Sequence, residues 1–470
     1  MSDLSTGARP RTAPPHAWMI LALACACQFM VILDASIVNV ALPSIRGDLG
    51  FTGTGLAWVV NGYLLTFGGF MLLGGRAVDL WGPRRLLIAG LLLFSAASLA
   101  AGLATGAGVL VAARVVQGVG AAMLAPATLA VINTGFTEPA ARARAFGAWS
   151  AAGGVGGMAG ALAGGAMTTG LSWRWVFLIN VPIGAVLIVL ASLAPLAARA
   201  VPAASAARRG SLDVLGALTG TAGLAALIYG VMRSPEPGWL PVSAAGLLLL
   251  GVFVVVEARF TAAPIMPLRL FRIRSVAVGV GMLLVFGAIA IAMWYFSALF
   301  LQNVLGYSAL GAGLGQTPAA VTFLLVARRA AVLLPRAGVR RLVLTGGGLF
   351  LAGFGWLAQA DAGSGFLTGV LGPTLLVAAG IGLTFPTLMA AVTADVPEGD
   401  AGIIGGLAQT AHQAGGSLGL AVLATAAASG SQAGPAALAT GYGLVFAIAA
   451  GLGAALALLG LLLPGRALYR

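Results

Sequence analysis

The sequence predicts an all-α polytopic membrane protein of about fourteen spans, built as two six-helix bundles with two extra helices between them. Three observations carry this. First, 60% of the 470 residues are hydrophobic and 8% charged, with mean hydropathy +1.03. A soluble domain carries about 25% charged residues. Second, apolar runs of about 20 residues recur along the whole chain. Third, the gaps between those runs alternate in charge. Arg76, Arg84, Arg85, Arg142, Arg144, Arg199, Arg208, Arg209, Arg259, Arg269, Arg272, Arg274, Arg336, Arg340 and Arg341 fall in one set, with Arg9, Arg11, Arg466 and Arg470 at the ends. The other set holds only Arg46, Arg174 and Arg233. By the positive-inside rule the arginine-rich set and both termini are cytoplasmic, and an even span count agrees.

In chain order, residues 1–17 read as a disordered cytoplasmic tail without a secretory cleavage pattern. Spans follow at about 18–42, 54–75, 86–105, 108–133, 146–168 and 175–195, forming a first bundle over 18–198. A linker over 199–274 begins with a polar stretch and holds spans at 213–232 and 239–257, which have no repeat partner and should sit beside the bundles. The second bundle, 275–470, has spans at 275–301, 312–334, 342–360, 366–393, 402–428 and 438–463. The repeat shows in two arginine-rich gaps. Gly75 to Arg85 follows the second span, Leu334 to Arg341 follows the tenth, and both end Gly-x-Arg-Arg.

Net charge is +13 and every basic residue is arginine, but these lie in short gaps rather than on one domain, so nucleic acid is not an expected partner. Cys25 and Cys27 sit in the first apolar run and read as small hydrophobes. No disulfide framework, metal-ligand cluster, phosphate loop or nucleophile–base pair is present, which speaks against an enzyme and implies no cofactor and no metal.

Charges inside the apolar runs are the functional candidates. Asp34 lies between Met30-Val31-Ile32-Leu33 and Ile37-Val38; a carboxylate at such depth costs about 2.5–3.5 kcal/mol and needs a partner, a proton or water. Arg114, between Val111-Ala112-Ala113 and Val115-Val116, is either an interior cation or a snorkelling one, and Gln117-Gly118 follows it. Gly156, Gly160 and Gly164 recur every four residues and leave one helix face bare for close packing. Gln409 and Gln413 share a helix face one turn apart, with His412 beside them as a packing residue or a proton carrier. Trp294-Tyr295-Phe296 either stacks on aromatic substrates or covers helix surface. Arg328 and Arg329 either snorkel to the cytoplasmic surface or face a central cavity.

Several stretches resemble one family. Leu33-Asp34-Ala35-Ser36-Ile37-Val38-Asn39-Val40-Ala41-Leu42-Pro43 resembles the first-helix signature of the fourteen-span drug:proton antiporters of the major facilitator superfamily, with Ser36 in place of the usual Thr. Ser172-Trp173-Arg174-Trp175-Val176-Phe177-Leu178-Ile179-Asn180-Val181-Pro182 is a second strong match, and physically an aromatic interfacial anchor. Gly75 to Arg85 resembles the superfamily's loop after the second span, with Leu80 where a basic residue is usual; its second copy has Pro335 where an Asp is expected. The glycine-rich fifth span has Ala161 where the antiporter motif carries Pro. Gln302 to Ser308 and Gln409 to Gly416 are looser matches.

The resemblance covers residues 18 to about 465. It implies a major facilitator fold in the plasma membrane that exports a hydrophobic, drug-like compound in exchange for protons by alternating access, as a monomer driven by the proton gradient. It further implies that Asp34 binds the proton, with Arg114 and His412 as coupling candidates. Asn39, Gln117, Trp294, Tyr295, Gln409 and Gln413 would touch substrate. Gly75, Asp79, Gly82, Arg84 and Arg85 would form a conformational switch, with Gly75 and Gly82 as turn residues. An exporter, importer or facilitator of a specific metabolite with the same fold, a non-transporting membrane receptor and, last, a membrane enzyme are the rival readings.

Overall fold

The computed structural model describes residues 17–136, 138–194, 213–234, 236–260, 264, 266–396, 401–428 and 434–463. Of the expected tail only Ala17 is among them; the polar stretch 199–210 and the chain beyond 463 lie outside the described residues. The described residues hold no strand.

In the first half, α1 (Ala17–Leu49), α2 (Gly53–Trp81), α3 (Pro83–Gly102), α4 (Ala107–Gly135) and α5 (Pro139–Gly170) are followed by one further span, α6 (Trp175–Leu178) and α7 (Asn180–Leu193), joined through a helical Ile179. The inserted pair is α8 (Val214–Met232) and α9 (Trp239–Arg259). In the second half, α10 (Arg274–Ile291), a π-helical turn at Ala292–Phe296 and α11 (Ser297–Asn303) form one continuous span. Then come α12 (Ala309–Leu357), a second π-helical turn at Phe366–Leu371, α13 (Gly372–Ala394), α14 (Ala401–Ala428) and α15 (Gly434–Gly460). Among the described residues, eleven helical stretches are long and apolar enough to cross a membrane. Helix α5, helix α14 and the second arm of α12 are not among them, because glycine in α5, Gln409, His412 and Gln413 in α14, and Arg340-Arg341 at the start of that arm dilute their hydropathy.

Helix starts follow ordinary capping. Thr52 accepts from the Gly55 amide (3.0 Å), Ser308 from Gly311 (3.1 Å) and Asp213 from Gly216 (2.8 Å). The helix ends correct the sequence reading. The stretch from Gly75 was expected as a loop with a turn at Gly75; instead α2 stays helical to Trp81, and only Gly82 (φ 84°, ψ 152°) leaves the helix before Pro83 opens α3. Nothing between Gly75 and Trp81 stops the hydrogen-bond ladder, whereas Gly82 supplies a left-handed conformation that other residues resist. Gly75 is therefore an interior helix residue, facing Pro126 of α4. The same device recurs in the second half. Helix α12 runs through its expected loop and breaks only at Gly338 (φ 76°, ψ 159°). The matched Gly-x-Arg-Arg ends thus share a backbone conformation as well as a sequence.

Packing builds two bundles and two seams. In the first half α1 packs on α5 and α4, α4 on α2 and α3, and α3 on α7; in the second, α12 packs on α13 and α15, and α10 on α14. The halves meet along α5 with α12 and along α2 with α14. Glycine allows both approaches. A Cβ at Gly313 would stand 2.3 Å from the Ala161 carbonyl, and one at Gly68 would stand 2.8 Å from the Gln413 Cβ. The Thr410 hydroxyl also donates to the Gly68 carbonyl (3.1 Å).

The inserted pair does more than sit beside the bundles. Helix α8 lies over the seam of α2 and α14. Its Thr221 fits against Gly69, Tyr229 packs on Trp58 at 6.2 Å, Met232 sulfur accepts from Asn61 (3.7 Å), and the Val231 carbonyl accepts from Thr425 of α14 (3.4 Å). Helix α9 packs on α8 and turns Leu247, Leu248, Val252 and Val255 outward, an apolar face suited to lipid.

The glycine face of α5 sets the strongest local constraint. A Cβ at Gly160 would stand 2.8 Å from the Leu33 carbonyl and 2.7 Å from the Ser36 Cβ, whereas one at Gly157 would meet nothing nearer than Ile32 at 3.7 Å. Gly160→Ala should therefore push α1 from α5 and lower the thermal unfolding midpoint, and Gly157→Ala should leave it unchanged. Fluorescence-detected gel filtration after heating reads both.

Candidate functional site: a buried carboxylate cluster in the first half

Asp34 projects from the middle of α1 into the first bundle and is fully buried. Its Oδ2 pairs with Arg114 Nη1 of α4 at 2.6 Å. Its Oδ1 accepts from Gln117 Nε2 (2.8 Å) and from Asn180 Nδ2 (2.8 Å), the first residue of α7. Both amide nitrogens also donate to Ser98 Oγ of α3, Gln117 at 2.6 Å and Asn180 at 3.1 Å. Arg114 makes two further hydrogen bonds nearby. Nε reaches the Val59 carbonyl (2.9 Å), and Nη1 also reaches Gln117 Oε1 (2.7 Å). The guanidinium lies over the Tyr63 ring, 4.3 Å from its centroid, and 5.7 Å from that of Phe177.

Local sequence explains the convergence. Arg114 and Gln117 are three residues apart and so share a face of α4. Gly118 carries that face close to α2, since a Cβ there would stand 2.4 Å from the Tyr63 carbonyl. Ile179 keeps helical angles (φ −58°, ψ −29°) between α6 and α7, so Asn180 continues the same helix with its amide turned into the cluster. The cluster is neutral as a whole. A buried carboxylate is tolerated because a paired cation and two amides replace the water it lost.

A second acidic contact ties the same segment to α1 farther along. Asp48 Oδ2 takes Arg174 Nη1 at 2.7 Å and Trp173 Nε1 at 2.9 Å, and Arg174 Nη2 reaches the Ala104 carbonyl (3.2 Å). At this same end of the bundle the two halves are joined. Gln302 Nε2 donates to the Val40 carbonyl (3.1 Å), and the Leu310 amide donates to Thr169 Oγ1 (3.3 Å).

The remaining predicted residues fall elsewhere. Gln117 is enclosed, with both ends of its amide engaged in the Asp34 cluster, so it serves that cluster rather than an open surface. Asn39 is buried on α1 outside the cluster. Tyr295 is buried against Phe296 at 4.9 Å, and Trp294 is half-buried in the π-helical turn, its carbonyl accepting from Gln316 (3.0 Å). His412 sits between Phe286 (5.6 Å) and Phe385 (5.2 Å) in the second half, apart from the Asp34 hydrogen bonds. Gln409 is half-buried and Gln413 buried on α14, the latter at the seam against Gly68. Arg84 donates to the Ser192 carbonyl at the end of α7, and Arg85 is exposed. The Asp79 side chain lies outside the described residues. Gly156, Gly160 and Gly164 all face the α1 backbone between Phe29 and Ile37. Arg328 and Arg329 are exposed on α12, in line with snorkelling.

Sequence reasoning missed Ser98, Asn180 and Tyr63. Asn180 carried a signal, a lone amide entering an apolar run, the same feature that marked Asp34. A serine or a tyrosine in a span carries none.

Comparison with known proteins follows the same lines. The sequence profile of the Major Facilitator Superfamily matches residues 24–420. The cephamycin export protein CmcT of Amycolatopsis lactamdurans is 44% identical over 432 residues, covering 91% of this chain and 88% of that protein. The puromycin resistance protein pur8 of Streptomyces alboniger is 37% identical, covering 89% and 83%. Among solved structures, a POT family peptide transporter superposes with a TM-score of 0.69 at 15% identity, covering 96% of each chain. At that identity the likeness is one of fold.

Proposed function

The chain belongs to the major facilitator superfamily, a family of membrane transporters rather than enzymes, and from that premise we propose a proton-coupled exporter of antibiotic-like compounds. The observation that carries the coupling is the Asp34–Arg114 pair at 2.6 Å, deep in a span and joined by two amides. Buried intramembrane acids with a movable partner are the usual seat of proton exchange. The export direction and substrate class follow the relatives, named for cephamycin export and puromycin resistance.

In this reading both termini are cytoplasmic, the protein lies in the plasma membrane as a monomer, and the end carrying Asp48 faces outward. The contacts of Val40 with Gln302 and of Thr169 with Leu310 then close the outer side, leaving Asp34 charged in a state that has released its proton inward. Opening the outer side would part the halves and loosen the Asp34 surroundings, admitting a proton as substrate leaves; closing it would restore Arg114 and release that proton inward as the next substrate binds. Glycines at both seams let the halves rock without prising side chains apart.

The test is export itself. Expressed in an efflux-deficient host, the chain should raise tolerance to members of an antibiotic panel. Inverted vesicles should accumulate those compounds only while a proton gradient stands. Uptake unaffected by a protonophore would remove the coupling, and no change across the panel would remove the substrate class.

A further inference from the structure

We infer that Asn180 is a positioning residue for Asp34, held in its orientation by Ser98, so that helices α3 and α7 set how readily that carboxylate takes a proton. The inference rests on Asp34 as the coupling acid, and it adds two residues to which no role had been given.

The geometry is specific. A carboxamide nitrogen offers two donors, and Asn180 directs one to Asp34 Oδ1 (2.8 Å) and one to Ser98 Oγ (3.1 Å). Gln117 does the same from the opposite side, at 2.8 and 2.6 Å. The Ser98 hydroxyl is thus a shared anchor that aims both amides at one carboxylate oxygen. Asp34, Ser98, Gln117 and Asn180 are all at 0% exposure, so the carboxylate is held by protein donors rather than by bulk solvent. The titratable groups facing Asp34 are Arg114 from α4 and Tyr63 from α2, while α5 presents its glycine face.

Asn180 is also fastened from the other direction. Six residues earlier Arg174 grips Asp48, fourteen residues beyond Asp34 on the same helix. The short segment from Trp173 to Asn180 is therefore tied to α1 at both of its ends, once through Asp48 and once through Asp34. A strut held at two points keeps its terminal amide in place as α1 moves, which a donor on a free helix face would not do.

The test titrates Asp34 directly. Infrared difference spectra of the full-length purified protein, taken across pH, carry the protonated carboxyl band of Asp34, identified by its loss in Asp34→Asn. A hydrogen bond to a charged acceptor holds the charge in place. Asn180→Leu, similar in size but without a donor, should raise the midpoint of that band by about one pH unit, a tenfold change in proton affinity. Ser98→Ala should move it the same way by less, and Asn180→Gln should bring it back towards the wild type. A midpoint unmoved in folded Asn180→Leu overturns the assignment; if that variant does not fold, an unmoved midpoint in Ser98→Ala does so. A shifted band in a protein whose export ignores the proton gradient supports the positioning role and removes the coupling. An unmoved band in a protein whose export needs the gradient removes the positioning role alone.

Discussion

Asp34→Asn should reduce proton-driven export in inverted vesicles to the level of vesicles without the protein, while the variant still inserts and folds. The amide keeps the size of the carboxyl and its oxygen can still accept from Arg114, so the packing of α1 among α4, α5 and α7 is preserved. The charge is not. Without it no proton is taken up or released at this position, and Arg114 loses the counter-ion that neutralises the cluster. Export down a substrate gradient, which needs no proton, should persist at a reduced rate. Loss of both kinds of movement together with loss of folded protein would mean that Asp34 serves only structure.

Arg114→Ala should be the most damaging single change to stability. It leaves a fully buried carboxylate with two neutral donors, and removing one partner of a buried pair costs about 3–5 kcal/mol. It also empties the space over the Tyr63 ring and frees the Val59 carbonyl. Arg114→Lys keeps the positive charge but loses the planar fork that reaches Asp34, Gln117 and Val59 together, so it should retain part of the coupling. Thermal unfolding in detergent should rank wild type above Lys and Lys above Ala, and the proton dependence of export should follow the same order. Equal damage by Lys and Ala would show that shape, not charge, is what Asp34 requires.

What was legible in the sequence was whatever departs from the chemistry of lipid. Apolar runs gave the spans, because a chain in hydrocarbon has few other ways to satisfy its backbone. Asp34 and Arg114 stood out as charges within such runs, and the structure brings them together although they are 80 residues apart. The Gly82 and Gly338 breaks were visible as matched Gly-x-Arg-Arg ends. The helical continuation through Gly75 to Trp81 was not, since charge and glycine there suggested a loop. Gln117 was visible as a partner of Arg114 only through its three-residue spacing, and was read instead as a substrate contact. Ser98 could not be singled out. Its role comes from where α3 crosses α4 and α7, which no local pattern encodes. The position of α8 over the α2–α14 seam was equally hidden, because lipid-facing and helix-facing apolar residues look alike in sequence.

The most direct test of the central claim, that Asp34 carries the coupling proton, is substrate-induced proton release from the detergent-solubilised protein, measured across pH in weakly buffered solution with a compound found to be exported. The wild type should release protons on substrate addition, and Asp34→Asn should release none at any pH. Release of undiminished size in Asp34→Asn would contradict the account and turn attention to His412, the half-buried imidazole between Phe286 and Phe385.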